Sequence, residues 1–444
     1  MITIDGHYAK NVKIFTDDIE DEAMSLIYNI ANNAVFKDTK IRIMPDTHAG
    51  KGIVIGFTAP VGDYVSPAHV GCDIGCGMHS IFFDKPLDPK DYALFEHRVK
   101  KEIPMGFNIH NKSVFEIKDF IKFVNKELMK AYQSSNHRIK FVEFKKEKDI
   151  KEWCDWVGID FSVFCHSIGT LGGGNHFLEY DEGDGHYAFT CHTGSRNLGD
   201  KVFKKWDKIA NSTEISKLGM KKVVHDVKRS YTGPLNDIKE AIDKALDEYK
   251  LTLHPGYLEG ADLEGYLTDM VIAQAYAKYN RKIICDRVEK IYNKIAKSKK
   301  IEDIECIHNY ICFDDMIVRK GSIRSYEGEK MIIPFNMRDG LAICEGKSNE
   351  DWNYSAPHGA GRKMSRSAAK RELNVDEFIQ SMKDAGIYTT TANAQTIDES
   401  PEAYKPMDEI IENIEPTAKI LFMMKPKINL KAAEKSEYVA GKSK

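Results

Sequence analysis

The chain has 444 residues, with 64 Lys and Arg against 67 Asp and Glu, which leaves a formal net charge of −3. This balance excludes a uniformly basic protein that coats nucleic acid. A hydrophobic fraction of 42% and only 14 prolines exclude a disordered or collagen-like chain and supply enough apolar material for a packed core.

The N-terminal sequence lacks the apolar stretch after a basic start that marks a secretory signal. The longest strongly apolar run, near residues 420–424, is far shorter than the ~18–20 residues that span a bilayer. The nine cysteines are an odd number scattered along the chain, unlike a disulfide framework. We therefore expect a soluble cytoplasmic protein in which a specialised cysteine is a metal ligand or a nucleophile.

Apolar spacing and turn residues predict the secondary structure along the chain. Strands and helices alternate irregularly, and strands dominate the glycine-rich segments. This arrangement predicts an α+β fold rather than a regular βαβ fold. In chain order we predict a helix at 18–32, strands at 41–44, 53–55 and 79–83, a helix at 116–132, a strand at 186–191, and helices at 235–250, 262–281 and 365–373.

Residues 85–151 contain few glycines and many charges, including the run at 138–148. One interpretation is a solvated helical face or hairpin, and the other is one wall of a groove for a polyanion such as RNA. Residues 432–444 are polar and small, and we predict a flexible tail there.

Glycines cluster around side chains that can bind metal or phosphate. Such clusters allow unusual backbone angles and close approach of other groups, so we predict that several rigid loops meet at one site. The clusters lie at 48–56, 70–77, 169–176, 192–196 and 358–362.

Asp73 and Cys76 lie three positions apart in one glycine-rich segment and can turn toward one point. Alone, Cys76 could equally be a small buried apolar residue. His176, His192 and His308 lie in short segments typical of strand ends, although any single histidine could be a surface or core residue. A mixed set of Asp, Cys and His ligands suits Mn²⁺, Zn²⁺, Fe²⁺ or Co²⁺ better than Mg²⁺.

His358 precedes Gly359, Ala360 and Gly361, and Arg362 and Arg366 follow. A glycine-rich turn with two arginines can hold a phosphate, and a histidine beside it can attack phosphorus. The other interpretation is a structural turn with two surface arginines. Arg196 and the segment at 319–324, which includes Lys320, are further candidate phosphate contacts that carry no base specificity.

Taken together, these segments resemble the RtcB family of GTP-dependent RNA ligases. The resemblance extends from about residue 44 to residue 431, nearly the whole chain. The motifs that carry it occur in the family order: MPDTHAGKG, VGCDIGCGM, GTLGGGNHFLEY, HTGSRNLG, HNY, VRKGSIR and SAPHGAGRKMSR. Because ligands spread from Asp73 to His358 must converge, the resemblance implies one large catalytic domain at 1–431, with a β-sheet core flanked by helices.

The resemblance also implies residue roles. His358 corresponds to the histidine that becomes guanylylated, and Cys76 to a thiolate that bridges two Mn²⁺ ions. The other implied metal ligands are Asp73, His176, His192 and His308. The implied GTP or GMP contacts are Asn175, Glu179, His358, Gly359, Ala360, Gly361, Tyr404 and Lys431, and the implied phosphate or RNA contacts are Arg196, Lys320, Arg362 and Arg366.

Two departures from the family pattern concern the nucleotide. Residues 334–338 read Pro-Phe-Asn-Met-Arg where much of the family has Pro-Gly-Ser-Met-Gly, so we predict no serine contact there. The chain also continues thirteen residues beyond Lys431, where many relatives stop almost at once.

The implied activity is GTP- and Mn²⁺-dependent ligation of RNA, in tRNA splicing or RNA repair. RNA ends with a 2′,3′-cyclic phosphate or 3′-phosphate would be joined to 5′-hydroxyl ends through a histidine-GMP intermediate and an RNA(3′)pp(5′)G end. The implied partners are GTP and RNA with broken ends, and the working expectation is a monomer without membrane contact. The alternatives are a metal-dependent RNA phosphoesterase without ligation and a non-catalytic RNA-binding protein.

Overall fold

A computed structural model of the chain describes residues 1–50, 52–253 and 256–433, and describes 214–216 and 247–253 by their backbone alone. The strands in these residues are β1 (Ile2–Ile4), β2 (Val12–Ile14), β3 (Arg42–His48), β4 (Ile55–Pro60), β5 (Gly77–Phe83), β6 (Phe177–Gly183), β7 (His186–Thr193), β8 (Lys300–Ile307), β9 (Asn309–Cys312), β10 (Ile317–Lys320), β11 (Ser322–Arg324), β12 (Lys330–Asn336), β13 (Gly340–Gly346), β14 (Ser355–Pro357) and β15 (Ala418–Leu430).

The helices lie mostly between and outside these strands. They are α1 (Asp21–Ala31), α2 (Tyr92–Glu102), α3 (Ile117–Ser134), α4 (Glu147–Val157), α5 (Phe161–Ser167), α6 (Arg196–Ala210), α7 (Glu214–Ser230), α8 (Ile238–Leu253), α9 (Gly260–Ala296), α10 (Arg366–Glu372), α11 (Val375–Asp384) and α12 (Met407–Ile414). Among the described residues, no helix combines the length and apolar character needed to cross a bilayer.

Two large sheets and a small one form the β framework. Seven strands pair in the order β12-β13-β15-β6-β7-β5-β8, and each neighbouring pair is antiparallel. Six strands pair in the order β1-β2-β3-β4-β10-β9, with β2 and β3 parallel. β11 and β14 form the small sheet. Strands and helices therefore segregate as in an α+β fold, which confirms the predicted class.

The long helix α9 organises the core. Its N-terminal half packs in the larger apolar cluster with α3 and α6, and its C-terminal half packs in a second cluster with α2, β5 and β7. The Asp269 carboxylate on α9 accepts hydrogen bonds from the indoles of Trp153, Trp156 and Trp206, at 2.7, 3.1 and 2.8 Å. These bonds satisfy a carboxylate that would otherwise be costly to bury, and they fix α4 and α6 against α9.

Four of the five predicted helices have close counterparts in α1, α3, α8 and α10, and the predicted helix at 262–281 is the N-terminal part of the longer α9. The strand predicted at 53–55 is wrong in place, because β4 starts at Ile55. Ile53 and Val54 are fully buried by packing without strand pairing, so their apolar character reflects burial alone.

The charged stretch at 85–151 contains α2, α3 and the start of α4, which fits its interpretation as a helical face, but the run at 138–148 within it is mostly irregular. No regular element occurs there before α4 starts at Glu147, and Ile139 and Phe144 are buried. The Asn125 side chain exchanges two hydrogen bonds with the Phe144 backbone, which fixes this irregular segment on α3. Of the predicted tail at 432–444, residues 434–444 lie outside the described part of the chain.

Candidate active site

The predicted metal ligands meet at one end of the seven-stranded sheet. Cys76 directly precedes β5, His176 directly precedes β6, and His308 directly follows β8. His192 lies near the end of β7, where it pairs with Met78 and Phe177. Because β8, β5, β7 and β6 are antiparallel neighbours, the start of β5 and β6 and the end of β7 and β8 lie at the same end of the sheet.

The ligand atoms face one another at short range. Cys76 Sγ lies 3.5 Å from His176 Nε2 and 3.3 Å from His192 Nε2, and the Nε2 atoms of His192 and His308 are 3.3 Å apart. Asp73 Oδ2 lies 2.9 Å from His176 Nε2. Two groups suited to a metal ion result, Cys76 with His192 and His308, and Asp73 with Cys76 and His176. Their common member is Cys76, the predicted bridging thiolate.

The contacts of Nδ1 in His176 and His192 show which ring nitrogen can bind a metal ion. His176 Nδ1 lies 3.0 Å from the Leu171 carbonyl oxygen, and His192 Nδ1 lies 3.2 Å from that of Asn175. A carbonyl only accepts, so each Nδ1 carries a hydrogen, which leaves Nε2 as the atom through which each ring can bind a cation. Lone pairs aimed at a common point repel one another unless a cation lies between them. The donor set therefore fits divalent metal ions of the borderline class.

The electrostatics of the cluster favour neutral rings at His192 and His308 and an ionised carboxylate at Asp73. Burial, followed by neighbouring histidines, lowers the pKa values of His192 and His308 well below the ordinary range, which keeps both rings neutral. Burial raises the pKa of Asp73, but the hydrogen bond and charge of His176 outweigh it and lower that pKa to about 2. Burial and Asp73 raise the pKa of the Cys76 thiol, and a bound cation is what would deprotonate it.

His358 lies beside this cluster and contacts β3 of the six-stranded sheet. It follows β14, and its ring centroid is 4.8 Å from that of His308. Its Nδ1 lies 2.6 Å from Oδ2 of Asp46, a residue of β3 that is fully buried. The same oxygen accepts a hydrogen bond from the His358 backbone N–H at 3.2 Å. Because a carboxylate accepts, Nδ1 carries the hydrogen and Nε2 is free to act as a nucleophile.

Beside His358 and His192 opens a cavity of about 210 Å³. Every residue for which the sequence predicts a GTP or GMP contact lines it, and so do two of the predicted phosphate contacts. These residues are Asn175, Glu179, His358, Gly359, Ala360, Gly361, Arg362, Arg366, Tyr404 and Lys431. The structure thus gathers positions spread over more than half the chain, and their contact with a nucleotide stays a prediction.

A network of ion pairs forms one wall of this cavity. The Lys431 ammonium lies 2.9 Å from Glu399 Oε2, and both side chains are buried. Arg362 and Arg366 also pair with Glu399, at 3.3 and 2.5 Å, and the Tyr404 hydroxyl donates to it at 2.7 Å. Burial raises the pKa of Glu399, but Lys431 and Arg366 outweigh it and hold that pKa near 2. The two arginines are therefore partly neutralised by protein carboxylates, which their sequence did not indicate.

Glu179 on β6 lies at the base of the cavity. It accepts a hydrogen bond from the Asn429 side chain, and buried Asp181 lies on the same face of the strand. The Thr190 hydroxyl donates to Asp181 at 3.0 Å. Burial raises the pKa of both carboxyl groups, that of Asp181 to about 6, and their proximity raises that of Glu179 further. One proton is therefore favoured between the two groups.

The remaining predicted phosphate contacts have protein partners. The buried Arg196 guanidinium donates to Thr170 Oγ1 at 3.0 Å and to the Gly106 carbonyl at 2.9 Å. Lys320 donates to the Ala68 carbonyl at 2.9 Å and is buried. Neither lines the cavity beside His358, so RNA contacts by Arg196 and Lys320 stay predictions.

The segment that departs from the family pattern also lines the cavity. Residues 334–338 form the end of β12 and the turn to β13, and Pro334 to Met337 face the cavity. Asn336 Oδ1 accepts hydrogen bonds from the backbone N–H groups of Arg338 and Asp339, so its carbonyl oxygen is occupied by the turn. Arg338 pairs with Glu402 at 2.9 Å and fixes the hairpin to the neighbouring wall.

Sequence reasoning missed three residues of this site. Asp46 lies in the MPDTHAGKG motif but had no role, since nothing in the sequence pairs it with His358. Glu399 and Asp181 are acidic residues in segments without glycine clusters, so no signal distinguished them from surface carboxylates. The MPD segment was the one available signal, because it carries a carboxylate at the end of a predicted strand.

A histidine with a fixed nucleophilic nitrogen, beside paired metal-ligand groups and a cavity, is typical of enzymes that transfer phosphoryl or nucleotidyl groups. Comparison with known proteins gives the family. The family model described as tRNA-splicing ligase RtcB matches residues 27–432. The chain therefore belongs to the RtcB family, as its motifs predict.

Individual relatives are similar over most of their length. The chain is 27% identical to the RNA-splicing ligase RtcB of Escherichia coli K12, over 95% of this chain and 97% of that protein. It is 27% identical to the tRNA-splicing ligase RtcB of Nanoarchaeum equitans, over 83% of each chain. It is 23% identical to the RNA-splicing ligase RtcB of Mycobacterium bovis, over 83% of this chain and 91% of that protein.

Proposed function

We propose that this chain is an RNA ligase that uses GTP to join RNA 3′-phosphate or 2′,3′-cyclic phosphate ends to 5′-hydroxyl ends. The observation that carries the proposal is the position of His358, which lies between the candidate metal centre and the cavity with Nδ1 held by Asp46. The names of the relatives support RNA ligation as the class of reaction.

His358 is the proposed nucleophile. Its Nε2 lone pair attacks the α-phosphorus of GTP, the bond to the β-phosphate breaks, and pyrophosphate leaves with GMP bound to Nε2. Asp46 accepts the Nδ1–H bond throughout, which holds the ring and stabilises the positive charge that develops on it. A metal-dependent binding protein would not need this pair.

The metal would be held by Asp73, Cys76, His176, His192 and His308, and Cys76 belongs to both ligand groups. When bound, the ions supply positive charge that neutralises the phosphate oxygens, and family membership favours Mn²⁺ as the ion. The backbone carbonyls of Leu171 and Asn175 orient His176 and His192 for this task.

The cavity is the proposed guanine-nucleotide site. Glu179 would accept hydrogen bonds from the guanine edge, and Lys431 would contact the base from the same wall. Tyr404 would pack on the nucleotide, with Arg362 already against one face of its ring at 5.1 Å from the centroid. Asn175 and the turn at Gly359–Gly361 complete the set predicted to contact GMP.

The later steps concern the RNA. The 3′-phosphate oxygen attacks the phosphorus of the GMP on His358, which frees the histidine and forms an RNA(3′)pp(5′)G end. The 5′-hydroxyl of the second strand then attacks the RNA phosphate, and GMP leaves. We assign phosphate contacts to Arg196, Lys320, Arg362 and Arg366, and one wall of the RNA groove to part of 85–151, within a catalytic domain spanning 1–431.

The test is incubation of the protein with α-labelled GTP and Mn²⁺, followed by RNA strands with a 3′-phosphate or a 2′,3′-cyclic phosphate and strands with a 5′-hydroxyl. The proposal predicts acid-labile label on the protein and a joined RNA. Opening of cyclic phosphates without protein label or joining would instead identify a phosphoesterase. RNA binding without label or bond cleavage would identify a non-catalytic protein. Tracking the active protein in cell fractions tests the expected cytoplasmic location, and light scattering tests the monomer.

A further inference from the structure

The loop between α2 and α3 carries an unusually exposed aromatic residue. Phe107 keeps 81% of its surface exposed, and among large apolar side chains in the described residues only Leu235 is as exposed, at 82%. Scattered exposed apolar residues are common and need no explanation by themselves. The position of Phe107 relative to the candidate metal centre is what distinguishes it.

The backbone on which Phe107 lies is fixed to the backbone of a metal ligand. The Leu171 N–H donates to the Pro104 carbonyl at 2.9 Å, and the Gly106 N–H donates to the Gly172 carbonyl at 2.8 Å. The Leu171 carbonyl in turn accepts the Nδ1–H of His176 at 3.0 Å. Leu171 and Gly172 thus bind the loop that carries Phe107, and Leu171 also binds His176, the predicted metal ligand.

Arg196 also connects the Phe107 loop to the loop that precedes His176. Its guanidinium donates both to Thr170 and to the Gly106 carbonyl, directly before Phe107. A Cβ atom at Gly172 would lie 1.9 Å from Arg196 Nη1, so the guanidinium fills the space beside this glycine. The buried arginine thereby acts as a brace between the two loops, and the Phe107 ring is presented on a rigid support.

The rim next to Phe107 also carries the guanidinium of Arg366, which pairs with Asp398 and Glu399 but keeps 42% of its side chain exposed. Gly106 lies against Ala432, the neighbour of Lys431, because a Cβ at Gly106 would be 3.6 Å from Ala432 Cβ. On the same glycine-rich loop, a Cβ at Gly174 would be 3.9 Å from Arg366 Nη2. An exposed aromatic ring and a guanidinium therefore border the same loop beside the metal-ligand cluster.

We propose that Phe107 is a stacking platform for the terminal base of the RNA strand that carries the 3′-phosphate. The proposal rests on the RNA ligase function proposed above and adds a contact to the RNA base. Aromatic side chains beside a cationic rim bind single-stranded RNA ends by stacking, which accepts any base because every base has a π-face. The 3′-phosphate lies toward His176 and its neighbours, and the base of the same nucleotide lies on Phe107.

The first test measures the binding of a 3′-phosphate RNA oligonucleotide to the full-length protein with Mn²⁺ and without GTP. Stacking contributes about 1–3 kcal/mol per base, so Phe107→Ala should raise Kd roughly 5- to 150-fold. Phe107→Trp should bind within about threefold of the wild type, because a larger aromatic ring preserves stacking. Leu235→Ala is the matched control, since it removes an equally exposed apolar side chain from a different segment, between α7 and α8.

The second test removes the base instead of the ring. An RNA with an abasic 3′-terminal nucleotide should bind the wild type as weakly as intact RNA binds Phe107→Ala, and the two changes together should add no further loss. Additive losses, a Kd for Phe107→Ala within twofold of the wild type, or sensitivity to an abasic 5′-hydroxyl end instead would each overturn the proposal. Covalent labelling by GTP should be unchanged in Phe107→Ala. A wild-type protein that GTP does not label would refute the ligase function, and this outcome is distinguishable from a failure of the stacking proposal.

Discussion

The contact between Asp46 and His358 allows a quantitative prediction. Replacing Asp46 by Ala removes two hydrogen bonds from one buried carboxylate oxygen, to His358 Nδ1 at 2.6 Å and to its backbone N–H at 3.2 Å. A hydrogen bond to a charged group contributes about 1.5–3 kcal/mol, and the second, neutral N–H adds about 1 kcal/mol at most. Without the acceptor, the ring can also rotate and carry its hydrogen on Nε2.

We therefore expect Asp46→Ala to raise the activation free energy of covalent labelling by about 2–4 kcal/mol, which slows labelling roughly 30- to 1,000-fold. Asp46→Asn retains an acceptor oxygen of the same shape without the charge, so its loss should be smaller. The assay is the initial rate of label transfer from α-labelled GTP at saturating Mn²⁺.

Asp351→Asn is a suitable control. Asp351 pairs with Arg42 on β3, the strand that carries Asp46, at 2.9 Å, and it does not contact His358. Its labelling rate should match the wild type, and thermal unfolding should show that all three variants are folded. A rate within threefold of the wild type for Asp46→Ala would refute the proposed role of Asp46.

Three further predictions concern the metal centre, the buried acids and the cavity wall. Cys76→Ala should lose most bound Mn²⁺ in metal analysis of the purified protein, because both ligand groups share this thiolate, and full occupancy would contradict the ligand assignment. The folded-state pKa of Asp181 is raised to about 6, so the protonated carboxyl stabilises the fold fully below the unfolded pKa of about 4, and this stabilisation is lost as pH rises through 6. Asp181→Asn should therefore raise the melting temperature more at pH 8 than at pH 5. Equal shifts at the two pH values would refute the shared proton with Glu179. Glu399→Gln leaves Lys431 buried without its carboxylate and should cost about 3–5 kcal/mol in the free energy of unfolding by denaturant, whereas a loss below about 1 kcal/mol would show that the pair is solvated.

Sequence reasoning located Asp73, Cys76, His176, His192 and His358 because glycine clusters surround each of them, whereas His308 has no glycine neighbour and followed from the family resemblance. The clusters mark places where the chain turns tightly at a strand end, and the structure brings Cys76, His176, His192 and His308 to one edge of the antiparallel sheet. Helices were predictable from apolar spacing, since α3 and α9 bury one face or more along their length.

Long-range pairing was not predictable from one sequence. Asp46 and His358 are 312 positions apart, and no local pattern connects them. Arg362 and Arg366 looked like free phosphate contacts, but Glu399 partly neutralises both from more than 30 positions away. Similarly, the apolar residues at 53–54 indicated burial correctly but not its cause, because the same residues fill a core from a loop or from a strand.

The proposed ligase function depends on covalent guanylylation of His358. The most direct measurement is mass spectrometry of the peptide that contains His358, after incubation with GTP and Mn²⁺ at neutral pH and digestion without acid. We expect a GMP adduct on His358 that acid removes and that is absent from His358→Ala, which should still bind Mn²⁺. A GMP adduct on another residue, or one that persists in His358→Ala, would rule out His358 as the nucleophile.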